Sequence, residues 1–248
     1  MKKYTLFIAI FISVATAFAQ YNHHDSIDVH TYDITLDVSD FSTFVLSGHT
    51  DIVFKTTGEE LNKVAFDLFS YNVDSVFFNG EKVTNFNYND TVVAFYPENS
   101  LAANQKDTCQ VFYHGYPPTE PGSHWGGVHT GTSMIFNMGV SIETVPHGFG
   151  RAWFPCIDNF TDRAHYNINI ITKDTHRAIA TGILITSAPY AQGKTMWEWS
   201  LSQTSPTYLV SFAVGDFTKN VINYEGTDHD FPIEIYALPD DSAAATNT

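Results

Sequence analysis

Apolar and polar residues alternate with a period of two along most of this chain, and beyond its first nineteen residues no ten-residue stretch carries the stripe of an amphipathic helix. Tyr32, Ile34, Leu36 and Val38 share one face of a strand whose other face shows Asp33, Thr35 and Asp37. That pattern belongs to a sheet with one buried and one wetted side. Leu46, Ile52 and Phe54 share a parity in the strand expected over 44–54. Asn79-Gly80 separates Val76-Phe77-Phe78 from Glu81-Lys82-Val83 and supplies the two left-handed positions of a type I′ hairpin. Further strands are expected over 64–69, 91–96, 108–114, 134–138, 166–172, 179–186, 195–201, 208–214 and 233–237. The expected fold class is all-β. The Gly- and Pro-rich stretch 116–132 reads as one long loop, and a second turn-rich passage covers 146–150. At the far end, Asp241 or Ser242 is placed to cap a helix, and a frayed terminus fits the same residues equally well.

The first residues change the picture of where the chain works. Lys2 and Lys3 precede an apolar run from Tyr4 to Ala15, and Ala17-Phe18-Ala19 follows as a small-residue cleavage site. This order predicts a secretory signal over 1–19, cut after Ala19, and a secreted or periplasmic product. The run is shorter than the ~20 residues a spanning helix needs, so no membrane partner is expected. The formal net charge of −15 becomes −17 without Lys2 and Lys3, which opposes binding to nucleic acid or anionic lipid.

Two cysteines, Cys109 and Cys156, allow a single bridge in an exported chain. Both also sit among apolar neighbours, Val111 and Tyr113 for the first, Trp153, Phe154 and Ile157 for the second, as core thiols do. Eleven histidines invite a metal reading, yet no H-E-x-x-H occurs. His23-His24 lies beside the cleavage site, while His124, His129 and His147 surround the Gly-rich loop, where scattered surface histidines are the plainer account. Paired C-x-x-C spacings are absent, and Gly131-Thr132-Ser133-Met134-Ile135 lacks the closing Gly of a nucleophile elbow. The residues alone therefore assign no catalytic group and no cofactor to this chain.

The most distinctive segment is Gly150-Arg151-Ala152-Trp153-Phe154-Pro155-Cys156-Ile157-Asp158, and a second is Ser205-Pro206-Thr207-Tyr208-Leu209-Val210-Ser211-Phe212-Ala213-Val214-Gly215. The first resembles the R-x-W-F-P-C-x-D segment of aminopeptidase N-like zinc metallopeptidases, and the second resembles their S-T-Y-L-V-A-F-x-V-G strand. With the opening strand and the Asn79-Gly80 hairpin in order, the resemblance spans roughly Ser26 to Ala237.

It implies a large saddle-shaped, sandwich-like β domain over 20–238 that stands against a zinc-bearing catalytic domain. Residues 239–248 would begin the junction to that domain, which is absent from this chain. The implied partners are the catalytic domain and peptide substrates, and the chain alone is expected to be inactive. The family places a group that meets the substrate's α-ammonium on a T-Q-x-E-type stretch before the Arg. Val140-Ser141-Ile142-Glu143 occupies that place, so Glu143, with Ser141 for the usual Gln, is the implied amine contact. Arg151, Trp153, Phe154, Pro155, Cys156, Asp158, Tyr208 and Gly215 are expected to shape the domain. A chain rich in aromatics, 15% of its residues, also admits a free-standing module for glycan or protein ligands, although most of the rings fall at core parity.

Overall fold

A computed structural model describes residues 23–58, 60–145 and 147–245; the signal expected over 1–19 lies outside these. The strands, in chain order, are β1 (Ile27–Asp37), β2 (Leu46–Thr56), β3 (Val64–Asp67), β4 (Asn72–Phe78), β5 (Glu81–Lys82), β6 (Phe86–Tyr88), β7 (Val92–Phe95), β8 (Lys106–Gly115), β9 (Gly127–Thr130) and β10 (Met134–Met138). They continue with β11 (Ala164–Lys173), β12 (Arg177–Ala180), β13 (Ile183–Ala191), β14 (Lys194–Ser205), β15 (Phe212–Gly215), β16 (Thr218–Tyr224) and β17 (Phe231–Ala237). The all-β expectation holds.

Eight strands form one sheet in the order β13-β14-β11-β1-β2-β8-β4-β5; smaller sheets run β12-β15-β10-β9, β3-β7-β6 and β16-β17. β1 lies inside the large sheet, parallel to β11 and antiparallel to β2. A bulge between Val29 and Thr31 shifts its register, so Val29 on one side of it and Tyr32, Ile34 and Leu36 on the other all point inward. The Asn79-Gly80 hairpin forms as expected, with φ of 49° and 85° at its two central residues.

Residues 149–158 lie inside the molecule without belonging to a long strand, so their backbone polar groups need partners other than a ladder. Three buried tyrosines supply part of them. Tyr32 Oη accepts the N–H of Ile157 at 2.9 Å, Tyr113 Oη donates to the Trp153 carbonyl at 2.8 Å, and Tyr71 Oη donates to the Ala152 carbonyl at 2.9 Å. Asp67 and Cys156 exchange both backbone hydrogen bonds. The rings of Trp153 and Phe154 meet edge-on at 4.5 Å, and Phe154 stands edge-on to Tyr32, which stacks on Tyr166. Trp153, Phe154, Pro155 and Cys156 are all buried, which makes this segment the filling between the sheets.

Several expectations are corrected. The single strand expected over 179–186 is two, because Gly182 at φ 111° lets the chain leave the four-stranded sheet for the edge of the eight-stranded one. The strand expected from Tyr208 begins only at Phe212, since Thr207–Leu209 form a 3-10 turn. β9 forms inside the Gly- and Pro-rich stretch, and β6 and β16 were not foreseen. Cys109 and Cys156 are separate buried thiols whose pKa burial pushes up, so the bridge reading falls away. A short helix, α1 (Ser242–Ala245), follows a 3-10 turn at Pro239–Asp241. None of the helices among the described residues is long and apolar enough to cross a membrane.

Candidate functional site: a clamped hairpin on a buried aspartate

The two distinctive sequence segments meet at one side chain. Asp158, whose side chain is fully buried, accepts the Thr207 hydroxyl at 2.9 Å and the Gly150 N–H at 3.2 Å. The Arg151 guanidinium donates to its other oxygen at 2.6 Å. These partners precede Asp158 or come from the second motif. Burial raises the Asp158 pKa, and the Arg151 charge opposes that rise. Arg151 also donates to the Gly148 carbonyl at 3.1 Å and lies over the Phe149 ring at 5.0 Å. One ion pair therefore holds the end of the preceding loop.

That loop is a narrow excursion from the end of β10. Phe149 N–H donates to Gly139 O at 2.7 Å, and Ser141 N–H donates to His147 O at 2.9 Å. Its base rests on the second motif, because a Cβ at Gly139 would collide with the Tyr208 carbonyl. Tyr208 packs edge-on against Phe160 with ring centroids 4.9 Å apart. Gly215, buried at the end of β15, lies close to the Ser133 carbonyl and the Phe217 ring.

The tip of the excursion is fixed from the neighbouring loop by Glu120, a residue with no relative exposure. Its carboxylate accepts the N–H groups of Ile142 at 3.0 Å, Glu143 at 2.6 Å and Thr144 at 3.1 Å, and the Ser123 hydroxyl. Burial by itself would raise the Glu120 pKa, but these donors outweigh it and lower the value to about 2. Glu120 is thus a fixed anion that nests three successive amides. Nothing in the Gly- and Pro-rich stretch marks it in the sequence.

The clamp decides what the tip shows to its surroundings. Ser141 is buried, and its hydroxyl is hydrogen-bonded to that of Thr144. Glu143 is exposed, with its stem against Gly122 of the Glu120 loop. Val140, Ile142 and Val145 of the excursion, Phe160 just beyond Asp158 and Leu209 of the second motif are exposed apolar side chains. The structure therefore places the implied amine contact outward on a held backbone, and Ser141 beneath it. His124, His129 and His147 are not gathered: His124 pairs with the Thr119 hydroxyl, while His129 bonds the Trp125 carbonyl and stacks on Phe136. A cavity of about 690 Å³ near the β4–β5 hairpin shares no residue with this loop cluster. Of the four tryptophans only Trp125 is exposed, so three of the four indoles fill the core.

Fold and motif geometry together define an all-β domain whose two distinctive segments are joined at one buried carboxylate. Residues 28–209 match the family model of the Peptidase M1 N-terminal domain, and the chain belongs to this family. Endoplasmic reticulum aminopeptidase 1 of Rattus norvegicus is 32% identical over 90 residues, 36% of this chain and 9% of that protein. An M1 zinc metallopeptidase from Deinococcus radiodurans superposes with a TM-score of 0.74 at 21% identity, over 86% of this chain and 48% of that one. Legionella pneumophila aminopeptidase A gives 0.73 at 16% identity, over 88% and 25%. The chain thus spans less than half of the first of these solved structures and a tenth or less of the curated relative.

The catalytic zinc of such peptidases has no donor set in this sequence. No H-E-x-x-H is present, and α1, the α-helix among the described residues, holds no histidine. No reaction step is assigned to this chain.

Proposed function

We propose that this domain forms one wall of the substrate cleft of an exported zinc metallo-aminopeptidase. Its hairpin tip presents the Glu143 carboxylate to the free α-ammonium group of a peptide, while zinc and the water-activating groups belong to a catalytic domain that partners it. The observation that carries this reading is the Glu120 clamp, which fixes the backbone of 142–144 and leaves Glu143 exposed. A carboxylate on a held backbone loses little freedom when it pairs with an ammonium, which favours recognition of one geometry. The exposed Val140, Ile142, Val145, Phe160 and Leu209 support a face that meets another domain. One solved Deinococcus radiodurans relative holds a Tyr-Ser-Ala substrate, which supports short peptides as the substrate class.

Hydrolysis of aminoacyl-p-nitroanilides tests this reading. The 248-residue chain alone should give no turnover, whereas the same domain joined to an H-E-x-x-H-bearing catalytic domain should hydrolyse free-amine substrates and spare their N-acetyl forms. Turnover by the chain alone, or equal turnover of acetylated substrates by the joined protein, would overturn it.

A further inference from the structure

Behind the buried motif segment, and separate from the clamped hairpin, two adjacent histidines converge on one carboxylate. His23 Nε2 lies 2.9 Å from Asp67 Oδ1, and His24 Nε2 lies 2.7 Å from Asp67 Oδ2. The imidazole rings are 4.2 Å apart at 58°, and the three donor atoms fall within 4.8 Å of one another. Among the described residues no other group of three His, Cys, Asp or Glu side chains meets this condition.

We infer that His23, His24 and Asp67 form an accessory site for a divalent transition metal of the zinc class, distinct from the catalytic zinc of the family. Two imidazole nitrogens and a carboxylate oxygen are the ligand types that zinc, nickel and copper ions prefer over calcium or magnesium. The carboxylate is held in place from the protein side, since Asp67 Oδ2 also accepts the Asp158 N–H at 3.0 Å and the Asp67 backbone is paired with Cys156. The two histidine side chains retain 19% and 23% exposure, which gives water access to a fourth position. Beyond Asp67, the Asp158 carboxylate acts on His24, opposed by the Arg151 guanidinium that pairs with it.

A bound ion would take the place of any Nε2–H on the two rings, and a neutral imidazole would then carry its single proton on Nδ1. The ion would also tie the start of the described chain to β3, and through Asp158 to the motif segment. The sequence showed the His pair but not its partner, which is 43 residues away from the nearer histidine. The absence of H-E-x-x-H had led to the expectation of no metal on this chain.

Zinc titration of this chain by calorimetry at pH 7.5, with metal counted after dialysis, tests the assignment. The expected result is one equivalent held at a Kd of ~10 μM or below and a melting temperature that rises with zinc. Changing His24→Gln keeps an N–H to donate to Asp67 and removes an imidazole ligand, so it separates a hydrogen-bonding clasp from a metal site. This variant should stay folded by circular dichroism and bind zinc at least ~30-fold more weakly, and a His23→Ala variant should do likewise. Binding should also weaken from pH 7.5 to 5.5, since metal and protons compete for the same ligand atoms. No uptake below about 1 mM zinc, or equal affinity in the parent chain and both variants, would overturn the inference.

Discussion

The Glu120 carboxylate accepts the backbone N–H of Glu143 at 2.6 Å across 23 residues of sequence, so one buried acid sets the conformation from which another, exposed acid projects. The first residue holds the backbone from which the second projects.

This clamp gives a pH signature. With a folded pKa lowered to about 2 from an ordinary 4.5, Glu120 contributes stability above pH ~4.5 that is lost as pH falls toward 2. Denaturant melts of Glu120→Gln should show a clear loss against the parent chain at pH 7 and a much smaller one at pH 2.5. An equal gap at both values would place the carboxylate's role elsewhere.

Asp162 should act in the opposite sense. Burial raises its pKa to about 7, a rise that the Val29 N–H opposes and the nearby Asp28 charge assists. The folded chain then holds a proton that the unfolded chain releases near pH 4, so stability from this group falls as pH rises through 4 to 7. Asp162→Asn should match the parent at pH 4 and exceed it at pH 8 by on the order of 3 kcal/mol in chemical denaturation.

Arg151 and Asp158 form a pair whose acid is fully buried, so removing one member strands the other. Arg151→Leu should cost about 3–5 kcal/mol at pH 8, and less as the pH falls, because the raised pKa of Asp158 eases its neutralisation. Adding Asp158→Asn should restore part of the loss. A double variant no more stable than Arg151→Leu at pH 8 would contradict this account.

The buried thiols should be silent in the native state. A thiol-reactive chromogenic disulfide should modify neither Cys109 nor Cys156 without denaturant and both in guanidinium, and a reductant should leave the melting temperature unchanged.

Strand positions could be read because side-chain parity records burial: β1, β8 and β10 fall where Tyr32, Val111 and Ile135 predict, and the Asn79-Gly80 turn follows from backbone sterics alone. The motif residues were legible as a set; Trp153, Phe154, Pro155, Cys156, Asp158 and Gly215 are buried, and Arg151 and Tyr208 are half-buried. Glu120 and Asp67 were not legible, because the contacts that define their roles, to the 142–144 amides and to the His23–His24 pair, span more than twenty residues and no local pattern marks either. Gly182 as the crossing point between two sheets was equally hidden, since a lone glycine in an alternating run has the same appearance at a bulge, a bend or a crossing.

The most direct test of the cleft-wall reading is the steady-state kinetics of Glu143→Ala in the enzyme formed by this domain and its catalytic partner. The account predicts a fall in kcat/KM of ~10- to 1,000-fold for free-amine substrates with the melting temperature unchanged, because an exposed side chain on a clamped backbone is lost without disturbing the fold. A kcat/KM equal to the parent's would contradict it.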